Sequence, residues 1–429
     1  MITAILFGTL ILFMILDVPV GIAIGLSSWC TIVADGHLSA VYLAQQLVTA
    51  ADSFPLMAIP LFILAGELMS SGGVSKRLLG VCNAFFGHVH GGLAIVTVVV
   101  CMFFAAVSGS GPATVAAVGC MVVPTMLDNG YSKSFTLALV ACAGSIGVII
   151  PPSIPMVIFG SVTGTSITGL FMGGFIPGLV IGLALIGYCY FYCRKMGWRG
   201  ENKKYTAKEK WDAVWEAKWA LLDPIIILGG IYSGIFTPTE AAAVAAVYGF
   251  ICGAFIYKEL DATNITKTIA NACNTTGTTM VIIGCATAFT KLLTLQQIPT
   301  MITNSILNLT TNKIIILLLI NVLLLFVGCF MDTTPAIMVL APILLPIGKV
   351  VGLSAIHFGI LMVVNLSIGF ITPPLGINLF VATRVGDTKL EVVTRGIIQF
   401  IIVNLICLAL ITYIPAISEF LPKLFGMTL

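Results

Sequence analysis

The amino-acid sequence predicts an all-α, polytopic membrane protein built from two inverted-topology repeats, each holding a re-entrant helical hairpin and a broken transmembrane helix. Three observations predict it. Hydrophobic residues make up 59% of the 429 and charged residues 9%, and apolar runs suited to a bilayer recur along the whole length. A double-proline segment is written twice, as SIGVIIPPSIPM at 145–156 and SIGFITPPLGIN at 367–378. Between the copies lies a basic stretch: eight of the twenty Lys and Arg fall between Arg194 and Lys218.

Residues 1–193 make the first repeat. Apolar runs within about 1–90 form scaffold helices, 93–127 a hairpin, 135–165 the broken helix and 169–193 a closing helix. The opening MITAILFGTLILFMILDVPVG lacks a basic leader and a small-residue cleavage site, so it is expected to be a retained first segment. Residues 194–219 form a connector. Its basic residues place it in the cytoplasm, and Trp211, Val214, Trp215, Trp219 and Leu222 share one helical face, as an amphipathic surface helix requires. Residues 220–429 make the second repeat: scaffold helices over 220–294, a hairpin at 314–348, the broken helix at 356–383 and a last helix at 397–414.

The repeat reaches beyond the prolines. Pro112-Ala113 matches Pro335-Ala336 at an offset of 223, and Pro151-Pro152 matches Pro373-Pro374 at 222. Two features in the same order at almost one offset point to duplication. Counting crossings outward from a cytoplasmic connector puts Lys133, Lys258, Lys267, Arg384, Lys389 and Arg395 inside. The two double-proline segments then cross in opposite directions, which makes the repeats inverted. Several apolar runs are too short to cross, which suits re-entrant segments.

Irregular backbone inside a bilayer is tolerated only against protein or a polar cavity. Proline removes donors and glycine permits other dihedrals, so each double-proline segment frees carbonyls. Opposite them a hairpin tip offers Ser108, Ser110 and Thr114 in one half, and Asp332, Thr333 and Thr334 in the other. Converging carbonyls and hydroxyls suit a small hard cation, while half-helix N-termini suit an anionic group. Gly and Pro that merely kink packed helices are the bland alternative, weakened by two copies in register. Asp332, at the end of a long apolar run, reads as a functional carboxylate and also as an N-cap. Glu240, three residues after Thr237, reads as half of a capping box. Glu67 and Lys291 precede the two hairpins and are structural or meet a partner subunit. His88 and His90 carry no assigned role. The twelve cysteines show no CxxC and no Cys/His cluster, and Cys189 and Cys193 read as buried thiols.

The segments SFPLMAIPLFILAGELM (53–69), SGSGPATVAAVG (108–119), GSIGVIIPPSIPM (144–156) and GFITPPLGINLFV (369–381) together resemble the large membrane subunit of tripartite ATP-independent periplasmic (TRAP) transporters. The resemblance spans nearly the whole chain. It implies a sodium-coupled importer of organic acids in a bacterial inner membrane, working by an elevator motion of hairpins and broken helices against a scaffold. It implies two partners, a small four-helix membrane subunit and a periplasmic substrate-binding protein, and about two Na+ sites. The first site would draw on Ser108, Gly109, Gly111, Pro112, Ser145, Gly147 and Ile150. The second would draw on Gly328, Asp332, Thr333, Thr334, Gly369 and Thr372. The substrate would lie between tips and broken segments, near Ser108, Ser110, Thr114, Pro152, Ser153, Thr334, Pro374 and Asn378. General likeness leans to sialic acid over C4-dicarboxylates. Two other readings stand beside it: a stand-alone sodium- or proton-coupled carboxylate transporter, and an intramembrane hydrolase using Ser108 or Ser110. For the hydrolase, no Lys or His is evident at matching depth to activate a serine.

Overall fold

The computed structural model describes residues 2–39, 41–198, 205–310 and 312–427. Those residues hold helices and their connections, with no strand among them. The first half runs α1 (Ile2–Ile15), α2 (Val20–Asp35), α3 (Val41–Ala51), α4 (Ala58–Ser71) and α5 (Val74–Phe86). It continues through α6 (Gly92–Ser108), α7 (Gly111–Asp128), α8 (Lys133–Ser145), α9 (Ile154–Thr163) and α10 (Ile167–Met196). The second half begins with α11 (Ala207–Tyr232), α12 (Pro238–Ile251), α13 (Ala262–Leu295), α14 (Ile298–Leu309) and α15 (Lys313–Gly328). It ends with α16 (Thr333–Val350), α17 (Ala355–Gly369), α18 (Ile377–Val385), α19 (Leu390–Tyr413) and α20 (Ala416–Leu424). Among the described residues, seven helical segments are long and apolar enough to cross a bilayer. The molecule is a multi-pass membrane protein.

The connector differs from expectation. Arg199, Lys203 and Lys204, part of its basic run, lie outside the described residues, as does Met1. Downstream, a capping box of Thr206 and Glu209 starts α11, which then runs unbroken from the Trp-rich stretch into the apolar one. No glycine or proline separates Lys218 from Ala220, so nothing ends the surface helix at 219. Trp211 and Trp215 remain exposed on it. Further along, α13 starts at Ala262 with a polar stretch, because Asp261 caps its first turns by accepting from the Asn264 N–H at 2.7 Å. The expected capping box of Thr237 and Glu240 starts α12.

Packing joins the halves rather than separating them. α18 packs on α7 and α8, α19 on α8, α16 on α9, and α20 on α10. Aromatic residues reinforce one such seam: Phe135 of α8 stacks on Tyr192 of α10 at 5.0 Å and meets Phe400 of α19 at 5.6 Å, each pair contributing about 0.5–1.5 kcal/mol beyond burial. Elsewhere, α13 lies against α2, α3, α4 and α16, and α12 packs along α4. α15 and α17 cross where two glycines meet. A Cβ on Gly328 would stand 3.2 Å from the Gly369 Cα, and one on Gly369 would collide with the Gly328 carbonyl. Small residues at such crossings let membrane helices approach closely.

Gly369→Val is expected to cost about 1–3 kcal/mol through this collision, read as a fall in the thermal midpoint of the detergent-purified protein. Gly187→Val, where a Cβ meets nothing within 4 Å, should leave the midpoint nearly unchanged; equal falls would refute the crossing argument. A second expectation concerns Asp223, which is fully buried in α11 with neither carboxylate oxygen hydrogen-bonded to the protein. An unpaired buried carboxylate is a liability, so Asp223→Leu should raise the midpoint, and a lower one would show that the carboxylate is used.

Candidate functional site

The first tip is closed by its own hydroxyls. α6 ends at Gly109, in the left-handed region at φ 60°, and extended Ser110 then leads into α7 through Gly111 and Pro112. The Thr114 hydroxyl donates to the Ser110 carbonyl at 2.8 Å, and the Ser108 hydroxyl lies 3.0 Å from Thr114 Oγ1. With the Thr114 hydrogen committed, Ser108 is the donor of that pair. The Ser110 N–H in turn points at Ser108 Oγ at 3.4 Å. This ring ties Ser108, Ser110 and Thr114 to one another.

The first broken segment is pinned to that tip. α8 ends at Ser145, whose hydroxyl donates to the Cys142 carbonyl at 2.7 Å. A short 3-10 turn covers Ile146–Val148, and α9 starts after Ser153, whose hydroxyl donates to the Val148 carbonyl at 2.6 Å. The Ile154 N–H donates to the Gly109 carbonyl at 3.3 Å. Gly147 faces the tip so closely that a Cβ there would stand 2.6 Å from Thr114 Oγ1 and 2.7 Å from the Ser110 carbonyl oxygen. Ile150 is buried against Gly178 of α10. Both double-proline bonds, Pro151-Pro152 and Pro373-Pro374, are cis.

At the second tip Asp332 caps α16, accepting from the Thr333 N–H at 2.6 Å. Thr333 and Thr334 are buried. The two arms of this pair diverge, with α15 packed chiefly on α17 and α16 on α9, α13, α14 and α17, whereas α6 and α7 pack together. After Gly369 the chain turns, with the Thr372 N–H on the Gly369 carbonyl at 3.1 Å and its hydroxyl on the Ile368 carbonyl at 2.7 Å. Asn378 opens α18, fully buried, and its amide donates to the Ala141 carbonyl of α8 at 3.0 Å.

A cavity of about 350 Å³ lies between the tips. Of the residues expected from sequence, Ser108, Gly109, Ser110, Pro112, Asp332, Thr333 and Thr334 line it. Thr114, Gly111, Gly147 and Asn378 sit behind the first tip, while Ser145, Ile150, Pro152 and Ser153 are buried in the first broken segment and Gly328, Gly369 and Thr372 belong to the α15–α17 crossing. Pro374 is exposed, so the second proline pair does not mirror the buried first one. Glu67 of α4, expected to be structural or to meet a partner subunit, also lines the cavity, and sequence reasoning missed three further polar lining residues: Ser70 on α4, and Thr275 and Thr279 on α13. The i, i+4 spacing of the two threonines, inside a membrane helix, was the available signal. Phe104 and Phe370 complete the apolar wall. Lys291 is exposed and away from the cavity.

Three helix N-termini converge here: α7 at Pro112-Ala113, α9 at Ile154-Pro155 and α16 at Thr333-Thr334. Each presents the positive end of a helix dipole. The described lining includes hydroxyls and two carboxylates, Glu67 and Asp332, and no lysine, arginine or histidine. Among the described residues no cluster of three His, Cys, Asp or Glu could hold a metal ion. This arrangement can cradle an anion by dipoles and hydroxyls, and it offers oxygen ligands alone to a hard cation.

The family described as the DctM component of tripartite ATP-independent periplasmic transporters matches residues 7–417. The isethionate TRAP transporter permease protein DctMQ of Oleidesulfovibrio alaskensis is 51% identical over 97% of this chain, which spans 66% of that protein's length. The C4-dicarboxylate TRAP transporter large permease protein DctM of Pseudomonas aeruginosa is 42% identical over 95% of each chain. A crystal structure of the Alcanivorax borkumensis YdaH transporter shares the fold at a TM-score of 0.63, with 15% identity and 89% of each chain covered. The chain therefore belongs to the DctM component family of TRAP transporters. Its relatives are transporter permease subunits, which sets the hydrolase reading aside.

Gly109 gives a direct test of the tip. A Cβ there would be strained at φ 60° and would also stand 2.8 Å from the Pro152 carbonyl oxygen. Gly130, at φ 80°, has nothing within 4 Å. Gly109→Ala is expected to lower the thermal midpoint more than Gly130→Ala, by about 1–3 kcal/mol overall; equal losses would mean that the tip is not clamped to the broken segment.

Proposed function

We propose that this chain is the large permease subunit of a sodium-coupled importer of a small organic anion, passed on by a periplasmic binding protein. The convergence of three helix N-termini on a hydroxyl-lined cavity carries the reading. An organic anion needs positive potential, and here the backbone supplies it without a basic side chain. Ser108, Ser110, Thr334 and the α9 N-terminus orient the substrate, with Glu67, Ser70, Thr275 and Thr279 forming the opposite wall. Thr114, Pro152 and Ser153 hold this face in place, and Pro374 and Asn378 shape the second broken segment.

The cation sites proposed for sodium are the two tip and broken-segment pairs. Gly109, Gly111, Pro112, Ser145, Gly147 and Ile150 join Ser108 in the first, and Gly328, Asp332, Thr333, Thr334, Gly369 and Thr372 make the second. Support comes from the close approach of Gly147 to the Ser110 carbonyl and from the carboxylate of Asp332 at the second tip. When bound, sodium supplies the positive charge that offsets that carboxylate. The two halves act as inverted repeats whose hairpins and broken helices move against α1–α5 and α11–α13. A small four-helix membrane subunit covers part of that scaffold. The protein lies in a bacterial inner membrane with the connector in the cytoplasm. On that orientation the cavity opens inward, since Ser70 lies near Lys76 and Arg77, and Thr275 near Lys267.

Isethionate and C4-dicarboxylates, named for the relatives, share a compact anionic head with the sialic acids suggested by general likeness. Isethionate is the first to test because its transporter is the more similar. Uptake in proteoliposomes holding this chain, its small partner and its binding protein is expected to follow an inward sodium gradient. Asp332→Ala should cut it at least about tenfold, a loss of about 1.4 kcal/mol or more in transport-competent binding. Ser108→Ala should weaken sodium dependence less. Uptake indifferent to sodium would sink the coupling; uptake without the binding protein would favour a stand-alone transporter.

A further inference from the structure

A group of buried polar residues that the transport reading leaves unused gathers at the start of α17. Ser354 caps the helix by accepting the His357 N–H at 3.1 Å, and its hydroxyl donates to Glu419 Oε1 of α20 at 2.7 Å. The His357 side chain is fully buried. Its Nδ1 lies 2.6 Å from Ser418 Oγ and its Nε2 3.3 Å from the Thr412 carbonyl oxygen. Ser418 Oγ also lies 3.2 Å from the Pro415 carbonyl oxygen, at the joint between α19 and α20. From Thr412 the network runs inward. Its Oγ1 accepts from the Asn321 amide of α15 at 3.1 Å, and Asn321 Oδ1 accepts from the Asn365 amide at 2.7 Å. Asn365 stands one turn before Gly369, where the second broken segment begins.

Counting protons in this network separates two states. A carbonyl can only accept, so Nε2 carries a hydrogen in both. With Nδ1 bare, the Ser418 hydroxyl must turn its single hydrogen to the ring, and the Pro415 carbonyl keeps only the Ser418 and Glu419 N–H groups, at 3.1 and 3.0 Å. With Nδ1 protonated, the ring donates to Ser418 Oγ, and the hydroxyl hydrogen is released to Pro415. The protonated arrangement makes one hydrogen bond more, and one of its bonds is charge-assisted. Against it stand the burial of a cation and the positive end of the α17 dipole.

The charged neighbours decide how close that contest is. From α20 come Glu419 and Lys423, themselves paired at 2.9 Å. From α15 comes Lys313. α16 brings Lys349 and α19 ends at the titratable Tyr413. α9 has no charged residue, and those of α10, Arg194 and Lys195, lie in its last turn.

We propose that His357 is a proton-binding site whose occupancy switches the hydrogen bonding of the α19–α20 joint and, through α17, tunes the second broken segment. The effect on transport rests on the transporter reading above. The proton site does not.

The test is ¹⁵N NMR of the full-length chain in nanodiscs, labelled at histidine and titrated from about pH 8 to about pH 5. The His357 signals are those missing in His357→Gln, the other histidines being His37, His88 and His90. The expected result is a ring protonated at Nε2 alone at high pH that gains a proton at Nδ1 on acidification. Ser418→Ala should weaken proton binding about tenfold, moving the midpoint about one pH unit down. A single protonation state throughout, a neutral ring protonated at Nδ1 instead, or an unmoved midpoint in Ser418→Ala would overturn the site. Sodium-driven uptake then tests the consequence. Its dependence on external pH should shift with the NMR midpoint in Ser418→Ala, and an unchanged profile overturns the coupling. Absence of uptake by the wild type would sink the transporter reading and the coupling with it, while the titration still decides the proton site.

Discussion

The constraint on which everything here depends is the cost of an unpaired backbone group where there is no water to pair it. The two helix breaks that flank the cavity are closed by hydrogen bonds from nearby groups. Gly109 ends α6 and its carbonyl is taken by the Ile154 N–H, the first of α9. The Ser153 hydroxyl recovers the Val148 carbonyl left open by the first break, and at the second the Thr372 hydroxyl joins the Ile371 N–H on the Ile368 carbonyl. The irregular segments are therefore fixed in pairs, tip with break. A ligand reaching the cavity meets a preformed wall of dipoles rather than loops that must first be ordered, which removes much of the ordering cost of binding.

The lining also limits what can be held. Without a basic side chain among the described lining residues, an anion would be held by partial charges spread over three helix ends, each contributing about 0.3–2 kcal/mol. Such a site favours moderate affinity and ready release, as a transporter needs. Glu67 and Asp332 would work against an anion unless their charge were offset, so on the proposed reading occupancy by anion and by cation would be thermodynamically linked.

Much of this was legible in the sequence because broken helices announce themselves chemically. Proline pairs, flanking glycines and a polar tip are local signals, as is the capping box of Thr237 and Glu240. What was not legible is tertiary. Ser70 belongs to a helix whose pattern reads as plain membrane span, Glu67 on the same helix was legible as an ionisable residue but not as lining, and only the helix's placement beside α6 and α13 turns both to the cavity. Asn378 and Thr114 have the right chemistry but face the packing behind the first tip. The connector was misjudged because an amphipathic surface helix and a spanning helix carry no punctuation between them when one simply continues into the other.

The interleaving of the two halves has a consequence for how the protein is made. α8 packs most extensively on α7 and α19, yet about 245 residues separate the end of α8 from the start of α19. At about 5–20 residues per second of synthesis, the seam around Phe135 waits on the order of tens of seconds for Phe400. During that interval the serine and threonine hydroxyls of the first tip and the carbonyls of the first break are already in the membrane, with only each other as partners. A tip that closes its own hydrogen-bond ring is therefore as much a provision for the half-made chain as for the finished one.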